Sequence, residues 1–549
     1  MKIPYLKLTQ TIEDEKTGDF ELSVEFETVK GKTKRLVIGR DESDAALHRL
    51  LRKKGAKISR NLEQAKPYLS ALAKTEHTVP SAFRAANIGW RASGAFVLPT
   101  RILGKSSEDD LVPPKLSHVS AQWPMKAKGT VEEWKSAIKP TQFSSVMMLC
   151  ATLPFAAAML RHSGRSSFGI LLYGNSKRGK STATLVCSSA LGIFDELDLP
   201  TFNSTDAALD QLPACFNDLP TPINELGSSV MKGVALADML QNFSYKVGDS
   251  KGRQYSEAAI ASGVVPFPLR WFTIVLSNSE KSARAISEAT NHSRAQGATI
   301  RLCDLPIMGE GMDDIFDLCE KADGRIARSK RRLVAIRDGL KVAYGRPIRA
   351  FIRSYQKTAA ASLVTLKDRR ERFAISLVAE DDTPEVQHLI DNFAHIYAAG
   401  SLAVDFDILP YSKKQLRKAI RICFKRAKNM MPSNVNLLRE AKRTMRQAID
   451  SGRFGRDRSY VDGYIDTNEP RKLVVRVDAL KSILHSPMQA SLLLASHAEK
   501  GRLPKARSVP NPLTDSIQWA SSQPTWPNGE RPRSIEILFK TPKAHDVDG

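Results

Sequence analysis

The stretch Phe168-Gly-Ile-Leu-Leu-Tyr-Gly-Asn-Ser-Lys-Arg-Gly-Lys-Ser-Thr182 decides how the rest of the chain is read, because from Gly174 onward it satisfies Gly-x-x-x-x-Gly-Lys-Ser. That pattern is the signature of a phosphate-binding loop. Its flanks agree: an apolar, strand-prone run from Phe168 to Tyr173 leads in, and a helix-compatible run from Thr182 to Leu191 follows. Gly174 and Gly179 permit a tight bend. Asn175, Ser176, Lys177 and Arg178 between them then turn successive N–H groups toward phosphate oxygens, and the positive end of the following helix adds to that field. Lys180 is placed to reach the β- and γ-phosphates and Ser181 to put a hydroxyl on Mg²⁺, with Thr182 as the last of the nucleotide-binding residues, where the helix begins. The pattern predicts ATP and Mg²⁺ as cofactors; an ordinary strand, glycine turn and helix with a chance lysine is the plain alternative.

Working outward, 549 residues exceed what one hydrophobic core usually supports, so several domains are expected. The most apolar run, Val146 to Leu160, contains Pro154 and is too short for a membrane span; it reads as a buried helix. With no signal-peptide pattern at the N-terminus, the expected location is cytoplasmic, with no membrane partner. Six cysteines form no Cys-x-x-Cys pair and the ten histidines offer no ligand spacing, which predicts reduced thiols and no structural zinc. A net charge of +23 implies a polyanionic partner, against the plainer reading of a merely basic surface; the resemblance given below favours DNA over RNA.

Residues 1 to about 40 alternate in strand fashion, with Leu22, Val24 and Phe26 on one face, a turn at Lys30-Gly31, then Leu36 and Ile38. Ser43 or Asp44 can cap a helix through Leu51, closed by Gly55. Ile88 to Pro99 reads as two short strands around Ser93-Gly94. Thr130 and Glu133 form a capping box for a helix carrying Trp134, and the apolar helix after it is expected to pack on the strand of the phosphate loop. Thr201 to Asp210 starts another helix.

Pro220-Thr-Pro-Ile-Asn-Glu-Leu226 falls where a nucleotide hydrolase places a strand ending in two acidic residues, the first for the Mg²⁺ shell and the second to orient water. Here the first is Asn224 and only Glu225 is acidic, which puts metal affinity and hydrolysis rate in question. Asp218 or the pair Asp195-Glu196 stand as compensating carboxylates or as surface groups. A second apolar run, Trp271 to Ser277, ends in Asn278, a position where a polar residue senses the γ-phosphate in ring-forming hydrolases; a strand-end turn asparagine is the plainer reading.

Gly89-Trp90, the phosphate loop, Phe202-Asn-Ser-Thr205, Asn217-Asp218 before Asn224-Glu225, Gly252-Arg253, Ser277-Asn-Ser-Glu280 and Gly297-x-x-x-Arg301-Leu-x-Asp304 follow the order of one family. The chain resembles the domain of unknown function 927 family, helicase-like ATPases of phages, plasmids and integrated elements, over roughly residues 86–310. The likeness extends more loosely to Asn392–Gly400 and Ile422–Phe424. The family usually has Asp at the position of Asn224. It resembles superfamily 3 helicases and AAA+-type rings, which implies a homo-oligomer, with a hexamer as one ring size, and nucleotide at subunit boundaries. Arg301 is then the candidate arginine finger, with an ion pair to Asp304 as its alternative. Lys251 and Arg253 fall where related rings insert a DNA-contacting loop; a solvated turn is the other reading.

Beyond 310 the chain turns helical and basic. From Lys413 to Lys428, Leu416, Ile420, Phe424 and Ala427 make an apolar stripe surrounded by cations, of which Lys414, Arg417, Arg421 and Lys425 are the candidate phosphate contacts. A second helix, Val435 to Ile449, carries Arg439, Lys442, Arg443 and Arg446. The last segment reads helix, helix, strands, similar to a winged helix. The expected fold is therefore multidomain α/β: an N-terminal α+β module (1–85), a P-loop core with an AAA+-like parallel sheet (86–310), a helical region with basic helices (311–455) and a winged-helix-like end (456–549). The function this predicts is an ATP-driven DNA translocase or helicase of a mobile element. The rivals are a nucleotide-gated DNA-binding or scaffolding protein with little hydrolysis, kept alive by Asn224, and a kinase, for which no acceptor or lid signature is visible.

Overall fold

The structure, a computed structural model, describes residues 5–15, 17–104, 110–115, 123, 125–252, 270–290, 294–309, 312, 314–319, 325–380, 382–431, 434–468, 471–484, 487–503, 524–526 and 529–539. It is a multidomain α/β protein with two compact units, one of residues 1–282 and 297–428, the other of residues 283–296 and 429–549.

The first unit opens on a mixed five-stranded sheet built from β1 (Leu6–Asp14), β2 (Phe20–Glu27), β3 (Thr33–Gly39), β4 (Ser81–Arg84) and, beyond three short strands, β8 (Asp110–Val112), in the order β3-β2-β1-β4-β8. The alternation read from the sequence places Leu8, Val24, Phe26 and Ile38 inward, against Leu47 and Leu51 of α1 (Asp44–Lys53) and Leu69 and Leu72 of α2 (Leu62–Lys74). Ser43 caps α1, its hydroxyl accepting from the Ala46 N–H. The short strands β5 (Gly89–Trp90), β6 (Phe96–Leu98) and β7 (Arg101–Leu103) form a separate antiparallel meander.

The central sheet is parallel throughout, in the order β10-β11-β9-β12, with β9 Phe168–Tyr173, β10 Thr221–Ile223, β11 Ile274–Ser279 and β12 Leu302–Pro306. Side chains of β9 and β11 are buried on both faces, as a sheet covered by helices requires. The capping box at α3 (Val131–Ile138) forms with both halves, and Trp134 is fully buried, donating its indole N–H to Ser189. Every residue of α4 (Ser145–Met159) is buried, so it lacks a polar face. It packs on α5 (Lys180–Ser189) and α13 (Pro384–Asp405), and its neighbour on the sheet is β11, where the sequence pointed to β9. The intervening helices in sequence are α6 (Asp206–Gln211), α7 (Gly233–Asp249), α8 (Ala283–Glu288), which belongs to the second unit, α9 (Gln296–Arg301), α10 (Arg325–Val342), α11 (Arg346–Lys357) and α12 (Ala359–Ile375); α14 (Lys413–Met430) follows α13. Of these, α10 packs along α3 and α5.

The second unit includes α15 (Asn434–Asp450), β13 (Gly463–Asp466), β14 (Lys472–Arg476), α16 (Val477–Leu484), α17 (Pro487–Glu499) and β15 (Ser534–Leu538). Its sheet is antiparallel, β13-β14-β15. The expected order of two helices followed by strands is corrected here: two of the three strands precede the helix pair. Their short polar-flanked sequences carry little alternation, which is why they escape a reading by pattern. Among the described residues no helix is long and apolar enough to cross a membrane.

Candidate functional site

The carboxyl ends of the parallel strands face one cleft. In register, Tyr173 pairs with Ser279 and Ile223 with Ser277, so the loop after β9, the Asn224-Glu225 pair after β10 and the tip of β11 arrive side by side. Such a crevice at strand carboxyl ends is where open α/β sheets bind ligands. It encloses about 360 Å³ and is lined by Ser176, Lys177, Gly179, Lys180, Ser181 and Glu225 from the sheet side, and by Lys330, Leu333, Val334 and Arg337 of α10.

The loop 174–179 is held in shape by backbone choice. Gly179, which caps α5, has φ 102, and a Cβ there would sit 3.0 Å from Ile315 and 3.1 Å from Leu333. Lys177 adopts φ 59 and is exposed at the rim of the cleft. The Lys180 ammonium donates to the carbonyls of Gly174 (2.6 Å) and Asn175 (2.9 Å), spanning the loop. Burial lowers its pKa, while the Glu225 and Glu280 carboxylates pull the other way. Lys177, Lys180 and Lys330 form no ion pair among the described residues.

Asn224 and Asn278 sit behind the cleft. Asn278 is fully buried; its amide donates to Asn224 Oδ1 (2.7 Å) and to Thr184 Oγ1 (3.1 Å), and its Oδ1 accepts from the Glu225 N–H (3.1 Å). These three bonds join the strand tips to one another and to α5. Glu225, at φ 48, is in a backbone region that costs a non-glycine residue about 1–3 kcal/mol, and the Asn278 bond helps to hold it there. Its carboxylate accepts from the Gly227 N–H and borders the cleft. The oxygen donors of Ser181 and Glu225 fit a hard divalent cation such as Mg²⁺.

Two cations missed by the sequence reading complete the cleft. Arg337 donates from Nε to Thr182 Oγ1 (2.8 Å) and lies 3.5 Å from the Glu196 carboxylate, and Lys330 stands on the same face of that helix, two turns earlier. Helix α10 reads as an ordinary basic helix, and only the fold brings it across the loop. The same contact places Glu196, of the Asp195-Glu196 pair, beside the cleft. Asp218 is elsewhere: it precedes β10, is fully buried, and is gripped by Arg161 and by the Trp90 N–H at the amino end of the sheet.

Arg301 also lies at that amino end, directly before β12. It donates to Gly297 O (3.1 Å), reaches Asp249 (3.4 Å) and lies 4.9 Å over the Tyr245 ring. The alternative partner weighed from sequence, Asp304, is therefore replaced by Asp249. A Cβ at Gly248 would come within 2.4 Å of Arg301 Cγ and Cδ, so that glycine provides the channel in which the side chain lies. The guanidinium remains 31% exposed. Lys251 is nearby, its backbone paired with that of Arg270 in an isolated antiparallel bridge, and Arg253 lies outside the described residues. On α14, Lys414 and Lys425 are exposed, Arg417 lies over Phe373 and Tyr397, and Arg421 donates to Ser376.

Comparison with solved structures gives a likeness of fold. The structure described as "SCCmec type IV Cch - active helicase" matches with a TM-score of 0.65 at 15% identity, covering 98% of this chain and 94% of that one. The structure described as the apo form of the NrS-1 C-terminal region matches at 11% identity over 76% of this chain and 91% of that one, with a TM-score of 0.27. No curated protein matches the chain. Residues 5–259 match the family described as Domain of unknown function (DUF927), a span that begins earlier than the 86–310 on which the motifs lie. The likeness to the DUF927 domain thus covers residues 5–259 of the chain.

Proposed function

We propose that the protein binds and hydrolyses ATP and uses the cycle to move DNA, as a translocase or helicase in the replication or mobilisation of a phage or mobile element. The observation that carries this reading is the convergence of Lys177, Lys180 and Lys330, none in an ion pair among the described residues, on one cleft of about 360 Å³ at the carboxyl ends of a parallel sheet. A polyphosphate supplies the missing negative charge, and the volume lies in the range of small-molecule sites. In this reading the loop is a P-loop of an AAA+-like core, Lys180 exchanges its carbonyl partners for β- and γ-phosphate oxygens, and Arg337 swings from Thr182 toward the γ-phosphate. Ser181 and Glu225 hold Mg²⁺, the latter through water; when bound, the ion neutralises developing phosphate charge. Glu225 also orients the attacking water, and Asn224 and Asn278 fix where that carboxylate stands. Arg301 acts on the nucleotide of the next subunit in a cytoplasmic homo-oligomeric ring.

The second reading, a nucleotide-gated DNA-binding protein with little turnover, is favoured by the neutral Asn224, whose side-chain oxygen is occupied by Asn278. Steady-state ATP hydrolysis with and without single-stranded or forked DNA separates the two. Turnover stimulated by DNA and abolished in Lys180→Ala is the expected result. Tight ATP binding without turnover supports the second reading, and absence of ATP binding defeats both.

A further inference from the structure

The second unit holds a contrast between two helices. α17, second of the helix pair and the one a winged-helix reader would place in a groove, carries no lysine or arginine. Its single histidine, His497, is pushed down to about 4 by burial, with Arg502, Lys442 and Lys500 adding to the shift, and is neutral at pH 7. Helix α15 is the reverse. Leu437, Ala441, Met445 and Ala448 face the unit's core, packing on α16 and α17. Arg439, Lys442, Arg443 and Arg446 recur at i, i+3, i+4 and i+7 and are all exposed, a single outward stripe. Lys442, Arg443 and Arg446 make no ion pair among the described residues.

We infer that the second unit holds the sugar–phosphate backbone of DNA on α15, not on α17. The inference rests on the DNA-binding part of the proposed function and specifies its surface. From Arg439 to Arg446 the stripe runs about 10 Å along the axis, matching roughly three successive phosphates of one strand. Guanidinium groups are suited to the task because their fork pairs with two phosphate oxygens at once. On α14 the arginines are engaged instead, Arg417 over two aromatic rings and Arg421 with Ser376, leaving the ammonium groups of Lys414, Lys418 and Lys425. With no cation on α17, contacts made through α15 position the nucleic acid without reading its sequence.

The test uses the full chain carrying Lys442→Gln, Arg443→Gln and Arg446→Gln, exposed positions where glutamine keeps helix propensity. Affinity for one DNA sequence, as duplex and as single strand, is measured across a salt series beside ATP binding. The expected result is weakening by roughly tenfold or more, with the log–log salt slope reduced by about 2.7 on duplex and about 2.1 on single strand. ATP binding stays at the wild-type level. The matched set Lys414→Gln, Lys418→Gln, Lys425→Gln leaves the slope nearly unchanged. An unaltered slope in the α15 variant, or loss of slope in the α14 variant instead, overturns the assignment to α15 while leaving DNA binding intact. Failure of the wild-type chain to bind DNA while it binds ATP removes the DNA-binding reading itself.

Discussion

The two ends of the central sheet treat charge in opposite ways. At the amino end, Asp218 is closed in by Arg161, Asn217 and the Trp90 N–H, and Arg301 lies in its channel against Asp249 and Tyr245. At the carboxyl end, Lys180 is shared between two carbonyls, and Lys177 and Lys330 form no ion pair among the described residues. A buried charge with a full set of partners holds elements together, whereas a convergent set of cations without counterions is a site waiting for an anion. Arg301 falls between these cases: it is partnered, yet its one carboxylate is at 3.4 Å and the group is reachable from solvent.

The largest expected effect breaks or confirms that intermediate position. Arg301→Ala should bind ATP nearly normally and lose about 10³–10⁵ in turnover, the range for a finger supplied in trans. Gly248→Ala, which blocks the channel, should lose turnover in the same direction with KM little changed. Lys180→Ala should fail at the nucleotide itself. Mixing the Arg301 and Lys180 variants, with subunit exchange verified, should restore activity; a silent mixture or an active Arg301→Ala leaves that arginine a structural clamp.

A smaller effect concerns a group sealed from both ends. His395 is fully buried, its Nε2–H donating to Ala156 O, and burial pushes its pKa down to about 4. Because the folded value lies below the unfolded one, the stability is present above about pH 6.5 and lost as pH falls toward 4. The loss amounts to about 3 kcal/mol over that window. Urea midpoints measured from pH 7 to 4 should fall accordingly and flatten in His395→Gln; an unchanged slope in the variant means that other groups dominate.

Next in size, Asp218→Asn should cost about 2 kcal/mol of stability, since Arg161 is left half-exposed and the Trp90 N–H keeps only a weaker acceptor. Turnover per folded molecule should not change; a selective loss of turnover would place Asp218 in the chemistry despite its position. The smallest effect is Asn224→Asp. The new carboxylate can keep the bond from Asn278 and adds charge near the metal position, so Mg²⁺-dependent hydrolysis should rise, by about tenfold at most. No rise means that another carboxylate, such as the cleft-side Glu196, already serves.

Much of this arrangement was legible before the fold was known, for reasons that differ by element. The loop 174–179, the capping box at Thr130 and Glu133, and helices α14 and α15 announce themselves through local chemistry or periodicity. Residues Asn224, Glu225 and Asn278 could be placed at strand ends, but not their mutual bonds, which depend on register between strands about fifty residues apart. Arg337 and Lys330 were invisible because nothing in a basic helix says which side it turns to a site more than a hundred residues earlier. The exchange of Asp304 for Asp249 has the same cause: proximity in sequence suggested the first, and packing of α7 beside α9 supplied the second.

Helix α4 has a consequence for how the molecule comes into being. Wholly apolar around its circumference, it is covered in part by α13, whose residues leave the ribosome more than two hundred positions later. Until that cover arrives the nascent chain displays a greasy rod, a target for chaperones and a seed for association. A truncated chain ending near residue 310 keeps the loop 174–179 and loses the cover, so it should be recovered from inclusion bodies, whereas one extended past Asp405 should remain in solution.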